Sequence, residues 1–350
     1  MNKKIALTYD DIQLVPSYSN INSRKDVSLK TPLSTNFNLH IPIVASPMDT
    51  VCEYDMAAKL MDLGGVGCVH RFMSIKDQAN ITQKLYHHLI TDISKNSTHD
   101  CYTSLSQIPI MAAIGVKPED KIRASELVKA YTNVLLIDVA HGDHKNVIDM
   151  IKWCKDKFEG VDIIAGNIAT KEAAERLEEA GADALRVGIG NGSLCTTRIK
   201  TGFGIPSITS IKEISEASKL PIMADGGLRS SGDMAKALAL GGSTVMLGSL
   251  IAGTDETPGK LIDDGHHLYK RYRGSASLET KSAHNKETRN IEGEATDVPY
   301  KGSVENIIND LVDGLKSALS YAGVQELTLF FPDYVRVTQS GVTEAKPHLL

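Results

Sequence analysis

Short apolar, often β-branched runs alternate with amphipathic stretches along most of the chain. Eight of the runs read as strands: 42–45, 65–69, 109–114, 134–137, 162–165, 184–187, 221–224 and 244–247. Each is followed by a turn bearing Gly or Asp and then by helical patterning. The clearest helix is predicted over 170–180 (TKEAAERLEEA), with Thr170 as N-cap and Gly181 as stop. A second is predicted over 230–239. A third, over 303–324, carries Ile307, Ile308, Leu311, Leu315 and Leu319 at helical spacing. Strands alternating with helices predict parallel βαβ units. Eight such units close a (β/α)8 TIM barrel, giving a single α/β domain over 1–350; an open doubly wound sheet is the alternative.

Two segments interrupt the repeat. Residues 74–106 read as a helix followed by polar coil. Residues 253–298 are long, charged and poor in apolar positions, which predicts a functional lid or a disordered stretch. Composition changes the picture little: of 350 residues, 42% are hydrophobic and 23% charged, which fits a globular chain with a sizeable core. A net charge of −5 gives no electrostatic reason to expect nucleic acid or an acidic membrane surface as partner. The N-terminus lacks the apolar core of a secretory signal, and the longest apolar run, 108–116, is far short of the roughly 20 residues of a membrane span. Cys52, Cys68, Cys101, Cys154 and Cys195 are odd in number and contain no CxxC pair. That argues against a disulfide framework or zinc site and for a cytoplasmic location.

Chemistry in such a barrel sits in the loops after the strands. After the sixth run comes Gly188-Ile189-Gly190-Asn191-Gly192-Ser193-Leu194-Cys195-Thr196-Thr197-Arg198, whose glycines let backbone groups approach an ion closely. It is not the dinucleotide fingerprint, because Ser193 stands where a third glycine would fall. Cys195 lies among hydroxyls near Arg198, whose charge would favour a reactive thiolate. Cys52, Cys68 and Cys154 lie in or beside apolar segments and read as packing residues. After the seventh and eighth runs, Asp225-Gly226-Gly227 and Gly248-Ser249 supply bare backbone where this barrel commonly grips phosphate, with Asp225 a natural acceptor for ribose hydroxyls. Asp138 closes the fourth run and Asn167 follows the fifth, both polar residues at the active end; capping or loop hydrogen bonding is the alternative reading of each. His141 and His144 lack an evident third metal ligand.

These residues resemble the IMP dehydrogenase and GMP reductase family over nearly the whole chain. The resemblance is carried by Leu7-Thr8-Tyr9-Asp10-Asp11, Ser46-Pro47-Met48-Asp49-Thr50-Val51 and the Gly188–Arg198 loop. It continues in Ala224-Asp225-Gly226-Gly227, Met246-Leu247-Gly248-Ser249, Tyr272-Arg273-Gly274 and Val298-Pro299-Tyr300-Lys301-Gly302. It implies the TIM barrel and covalent attack by Cys195 on C2 of a purine nucleotide, with Thr197 assisting proton transfer. It places the 5′-phosphate on Ser193, Gly227, Gly248, Ser249 and Tyr272, the ribose on Asp225, and Ser46, Met48 and Gly274 beside the nucleotide. Asp138 and Asn167 would line the nicotinamide side. The carbonyls of Gly190, Gly192 and Cys195 match a monovalent-cation (K+) loop, and the family implies a homotetramer.

The two family reactions share the Cys195 adduct. The dehydrogenase oxidises IMP with NAD and hydrolyses the adduct; the reductase expels ammonia from GMP and takes hydride from NADPH. In the dehydrogenases an Arg-Tyr pair on a long flap activates water. Here the flap, 275–298, is short, and Arg289 is followed by Asn290. Glu292-Gly293 is similar to reductases, where the glutamate works with the threonine to protonate departing ammonia; Thr201 also resembles them. Ser46-Pro47, Leu228-Arg229 and the tail 344–348 are closer to dehydrogenases, and Ser275 departs from the methionine usual after Tyr-Arg-Gly. Residues 74–106 are too short to hold the CBS modules of most dehydrogenases. The expectation is a GMP reductase, with a CBS-less IMP dehydrogenase as the alternative. A silent nucleotide-binding protein is the other class of function, against which the intact Cys195-Thr196-Thr197 speaks.

Overall fold

The computed structural model describes residues 5–92, 107–283 and 291–344. Eight parallel strands close into one barrel in sequence order: β1 (Ile43–Ala45), β2 (Val66–Val69), β3 (Met111–Ile114), β4 (Val134–Asp138), β5 (Asp162–Ile168), β6 (Ala184–Val187), β7 (Ile222–Asp225) and β8 (Thr244–Leu247). All eight coincide with runs expected from the sequence, which selects the TIM barrel over the open sheet. Helices α1 (Tyr54–Asp62), α2 (Ile75–Asp92), α3 (Pro118–Lys129), α4 (Lys145–Lys157), α5 (Lys171–Glu179), α6 (Ser207–Ala217), α7 (Ser231–Ala239) and α8 (Val304–Ala322) follow the strands. Thr170 caps α5 as expected, accepting from Ala173 N–H, and Ser230 caps α7, accepting from Asp233 N–H.

The period of a strand sorts its side chains between two cores. Val44, Val66, Cys68, Met111, Ala113, Val134, Leu136, Ile164, Ala184, Met223 and Met246 fill the barrel, with Leu33, Phe37 and Leu39 of a short hairpin packed into the same cluster. The alternate positions meet the helices. Cys52, Cys68 and Cys154 are buried and free; burial pushes all three thiols up, Cys154 to about 12. Cys101, the tail 345–348 and the Arg289-Asn290 dipeptide lie outside the described residues.

The long polar segment differs from expectation. Part of 253–298 forms a three-stranded antiparallel sheet of β9 (Ile262–Asp263), β10 (Leu268–Arg273) and β11 (Ala295–Pro299). Its strands were illegible because β10 reads LYKRYR: the inward positions Lys270 and Tyr272 are buried but polar. Lys270 is satisfied by the carbonyls of Asp255 and Thr257, at 3.1 and 2.6 Å. The segment expected as a flap therefore runs into β11, and it includes the short helix Leu278–Ala283. Residues 70–110, between β2 and β3, leave no room for inserted modules. No helix among the described residues is long and apolar enough to cross a membrane.

Candidate active site

At the C-terminal ends of the strands lies a cavity of about 740 Å³. The glycine loop after β6 forms one wall. Its backbone pairs with the base of the polar segment: Thr196 N–H donates to Glu292 O at 3.0 Å, and Glu294 N–H to Leu194 O at 2.9 Å. This bridge sets Cys195 opposite Gly293 and brings Glu292 alongside Thr197, residues 95 positions apart in sequence. The Cys195 thiol donates to Thr197 Oγ1 at 3.2 Å, and that hydroxyl donates to Glu292 Oε2 at 2.7 Å. Thiol, hydroxyl and carboxylate thus form a continuous proton path, half-exposed to the cavity. Arg198 plays a different part from the one its position implied. Its guanidinium donates to Ile205 O at 2.9 Å and to the Asn191 side chain, bracing the loop from behind.

The opposite wall is a cluster of charges. Side chains two residues above the barrel-filling Ala184, Leu136 and Met223 also point inward, and these are Arg186, Asp138 and Asp225. Arg186 donates to Asp138 Oδ1 at 2.6 Å and to Asp225 Oδ2 at 3.0 Å. Asn167 donates to the same Asp225 oxygen at 2.6 Å and to Gly188 O at 2.7 Å. Arg71, after β2, reaches Asp138 O at 3.0 Å and its carboxylate at 3.4 Å. To reach Asp138 on β4, Arg186 must cross β5 at the level of Gly166, where a Cβ would stand 2.5 Å from that of Arg186. Glycine is required there by the ion pair. Burial pushes the Asp138 carboxyl up, but Arg186 and Arg71 outweigh it and hold its pKa below the usual range.

The third side comes from β10 and the loops after β1 and β8. Tyr272 Oη lies 3.4 Å from Ser193 Oγ. A Cβ on Gly248 would meet Tyr272 Oη at 3.0 Å and the Met48 sulfur at 3.5 Å, so this corner is open only to bare backbone. Arg273 grips the buried Asp49 carboxylate, with Nη2 at 2.8 Å, and its N–H donates to Thr50 Oγ1. That clamp joins the Ser-Pro-Met-Asp-Thr and Tyr-Arg-Gly motifs.

The family model described as "IMP dehydrogenase / GMP reductase domain" matches residues 6–348. The chain is 40% identical to the inosine-5′-monophosphate dehydrogenase of Cryptosporidium parvum, over 98% of this chain and 94% of that protein. It is also 40% identical to the GMP reductase of Ligilactobacillus salivarius, over 95% and 96%. A GMP reductase variant from Trypanosoma brucei, solved in complex with guanosine 5′-monophosphate, superposes with a TM-score of 0.92 at 30% identity, covering 100% of this chain and 99% of that one.

This chain belongs to the IMP dehydrogenase / GMP reductase family.

It is therefore a purine-nucleotide oxidoreductase of a family that uses NAD(P) as cosubstrate. The cavity collects Ser46, Met48, Asp138, Asn167, Gly190, Gly192, Ser193, Cys195, Thr197, Asp225, Tyr272, Gly274 and Glu292 from the residues expected in the site. Gly227, Gly248 and Ser249 are not among its lining residues; Gly248 sits directly behind Tyr272 and Met48. Among the described residues no cluster of His, Cys, Asp or Glu is arranged to hold a metal, and His144 instead caps α4, accepting from Asn146 N–H. Sequence reading missed Arg186 and Arg71. The signal for Arg186 was present: a charge within a four-residue strand covered on both faces must be paired.

Proposed function

We propose that this family member is a GMP reductase, converting GMP to IMP and ammonia. The observation that carries this reading is the Cys195–Thr197–Glu292 hydrogen-bond chain. Along this chain the thiol proton passes through Thr197 towards Glu292, and the freed sulfur adds to C2 of the purine. The same proton returns through Thr197 to the departing amino group, which must leave as ammonia rather than as its anion. A covalent thioimidate remains on Cys195. NADPH, when bound, supplies hydride to C2, after which the C–S bond breaks and IMP departs.

The remaining roles are those the family resemblance implies. Ser193, Tyr272, Gly227, Gly248 and Ser249 hold the 5′-phosphate. Asp225, one of whose oxygens is committed to Arg186 and Asn167, presents the other to the ribose. Ser46, Met48 and Gly274 border the base. Asp138 and Asn167 border the nicotinamide, acting through a fixed surface, since their polar groups are bonded to protein. The carbonyls of Gly190, Gly192 and Cys195 suit K+: Gly190 has φ +78 and turns sharply, although the Gly192 carbonyl already accepts from Cys195 N–H at 3.1 Å. The segment 275–298 acts as a flap, and the assembly is a homotetramer. IMP dehydrogenase remains the second reading, favoured by the equal likeness to the Cryptosporidium parvum enzyme.

Paired absorbance assays at 340 nm decide between them. GMP with NADPH is expected to lose absorbance. Activity only with IMP and NAD, as a gain of absorbance, overturns the reductase reading.

A further inference from the structure

The motif at residues 7–11 contributes nothing to the cavity lining, yet it is hydrogen-bonded to α6, to α7 and to Arg229 in the loop after β7. Leu7 and Thr209, in the first turn of α6, exchange two hydrogen bonds, at 2.7 and 3.2 Å. Lys236 of α7 donates to Tyr9 O at 2.9 Å. Arg229 forks onto the Asp10 carboxylate, with both guanidinium Nη atoms engaged at 3.0 and 2.5 Å. It is held in that orientation by Asp233 Oδ2, which also accepts from Arg229 N–H at 2.9 Å.

Between these anchors Tyr9 is fully buried. Its ring edge lies 3.4 Å from where a Cβ on Gly227 would stand. Gly227 has φ +79 and Gly226 φ +87, a left-handed pair that only glycine adopts without strain. On the other side Gly226 touches the glycine loop, since a Cβ there would meet Gly192 N at 2.8 Å. The turn is thus sandwiched between the Tyr9 ring and the Asn191-Gly192 backbone. The Tyr9 hydroxyl lies beside Ser207 but makes no hydrogen bond of normal geometry. The packing work is therefore done by the ring.

We propose that residues 7–11 are a positioning strap for the phosphate grip: Tyr9 supports the Gly226-Gly227 turn from below, and the Asp10–Arg229 pair fixes the residue two positions beyond it. This rests on the reading that a purine nucleotide places its 5′-phosphate at Gly227. It holds for GMP and IMP alike, because both carry the same phosphate. A bare backbone turn of two left-handed glycines has little stiffness of its own, and its N–H groups bind an anion well only if held in place before the anion arrives.

Calorimetric titration with GMP, IMP and guanosine tests the proposal. In Asp10→Asn, a substitution at a half-exposed position, GMP affinity is expected to fall about tenfold, with guanosine affinity held within about twofold. In the reductase assay KM for GMP should rise with kcat nearly constant. Tyr9→Leu should show the same split, and Tyr9→Phe should restore wild-type affinity, because the ring survives. Equal losses for GMP and guanosine would mean a general structural role and would overturn the strap, as would unchanged GMP binding in Asp10→Asn. Wild-type protein that binds neither GMP nor IMP would instead sink the nucleotide reading beneath it.

Discussion

On the side of residues 188–198 the cavity wall is backbone, hydroxyl and thiol. On the side of β4 to β7 it is formal charge. The first is half-exposed, rich in glycine, and held by a backbone bridge to Glu292–Glu294. The second is buried, with Arg186 set between Asp138 and Asp225 and locked by strand register. In the proposed reaction the first wall rearranges bonds, since a sulfur that attacks carbon and a hydroxyl that passes protons must reach the substrate. The second is largely committed: apart from the other Asp225 oxygen, its carboxylates are already paired in a medium that penalises unpaired charge. Reactivity and rigidity are separated across about one cavity's width. Removing a group from one wall should therefore damage catalysis, and from the other, the fold.

The sharpest break comes from Cys195→Ala. Turnover is expected to fall by about 10³-fold or more, with the thermal midpoint and GMP affinity close to wild type. Residual turnover near the wild-type rate would exclude a covalent adduct. Arg186→Met acts on the other wall and leaves two inward carboxylates without their shared partner. A loss of about 3–5 kcal/mol in unfolding free energy is expected, read by urea denaturation. A loss below about 1 kcal/mol would show that water already solvates the cluster.

The smallest effect is on acid stability. The folded pKa of Asp138 is depressed, so its contribution is complete above the unfolded carboxylate value of about 4 and is lost as pH falls through the folded value. Wild-type midpoints should hold steady on account of this group above about pH 5 and decline below about pH 4. In Arg186→Met burial is less opposed, the folded pKa of Asp138 is less depressed, and the acid decline owed to this group should shrink. Identical pH profiles would remove Asp138 from the account.

Much of this was legible in the chain. The eight runs announced themselves because barrel strands are covered on both faces and read as apolar. The glycine loop stood out because Gly188, Gly190 and Gly192 crowd a short stretch before Cys195. Glu292 was singled out by likeness to reductases, but nothing in its local pattern distinguished it from a solvated surface charge. The strands β10 and β11 were hidden, because Lys270 and Tyr272 are buried with polar atoms that find carbonyl and hydroxyl partners. Arg71 was hidden for a different reason: its partner is on β4, and no pattern within the chain pairs them.

Local spacing determined the period of the strands, the cap of α5 and the glycine turns. All of these follow from which backbone conformations and burial faces each residue permits. What only the folded chain decided is which distant groups share a proton or a charge. The barrel closure and the bridge at Cys195 and Gly293 bring Thr197 to Glu292 and Arg186 to Asp138. Such pairings depend on the distance between atoms in space, and sequence carries no term for that distance until the strands are in register.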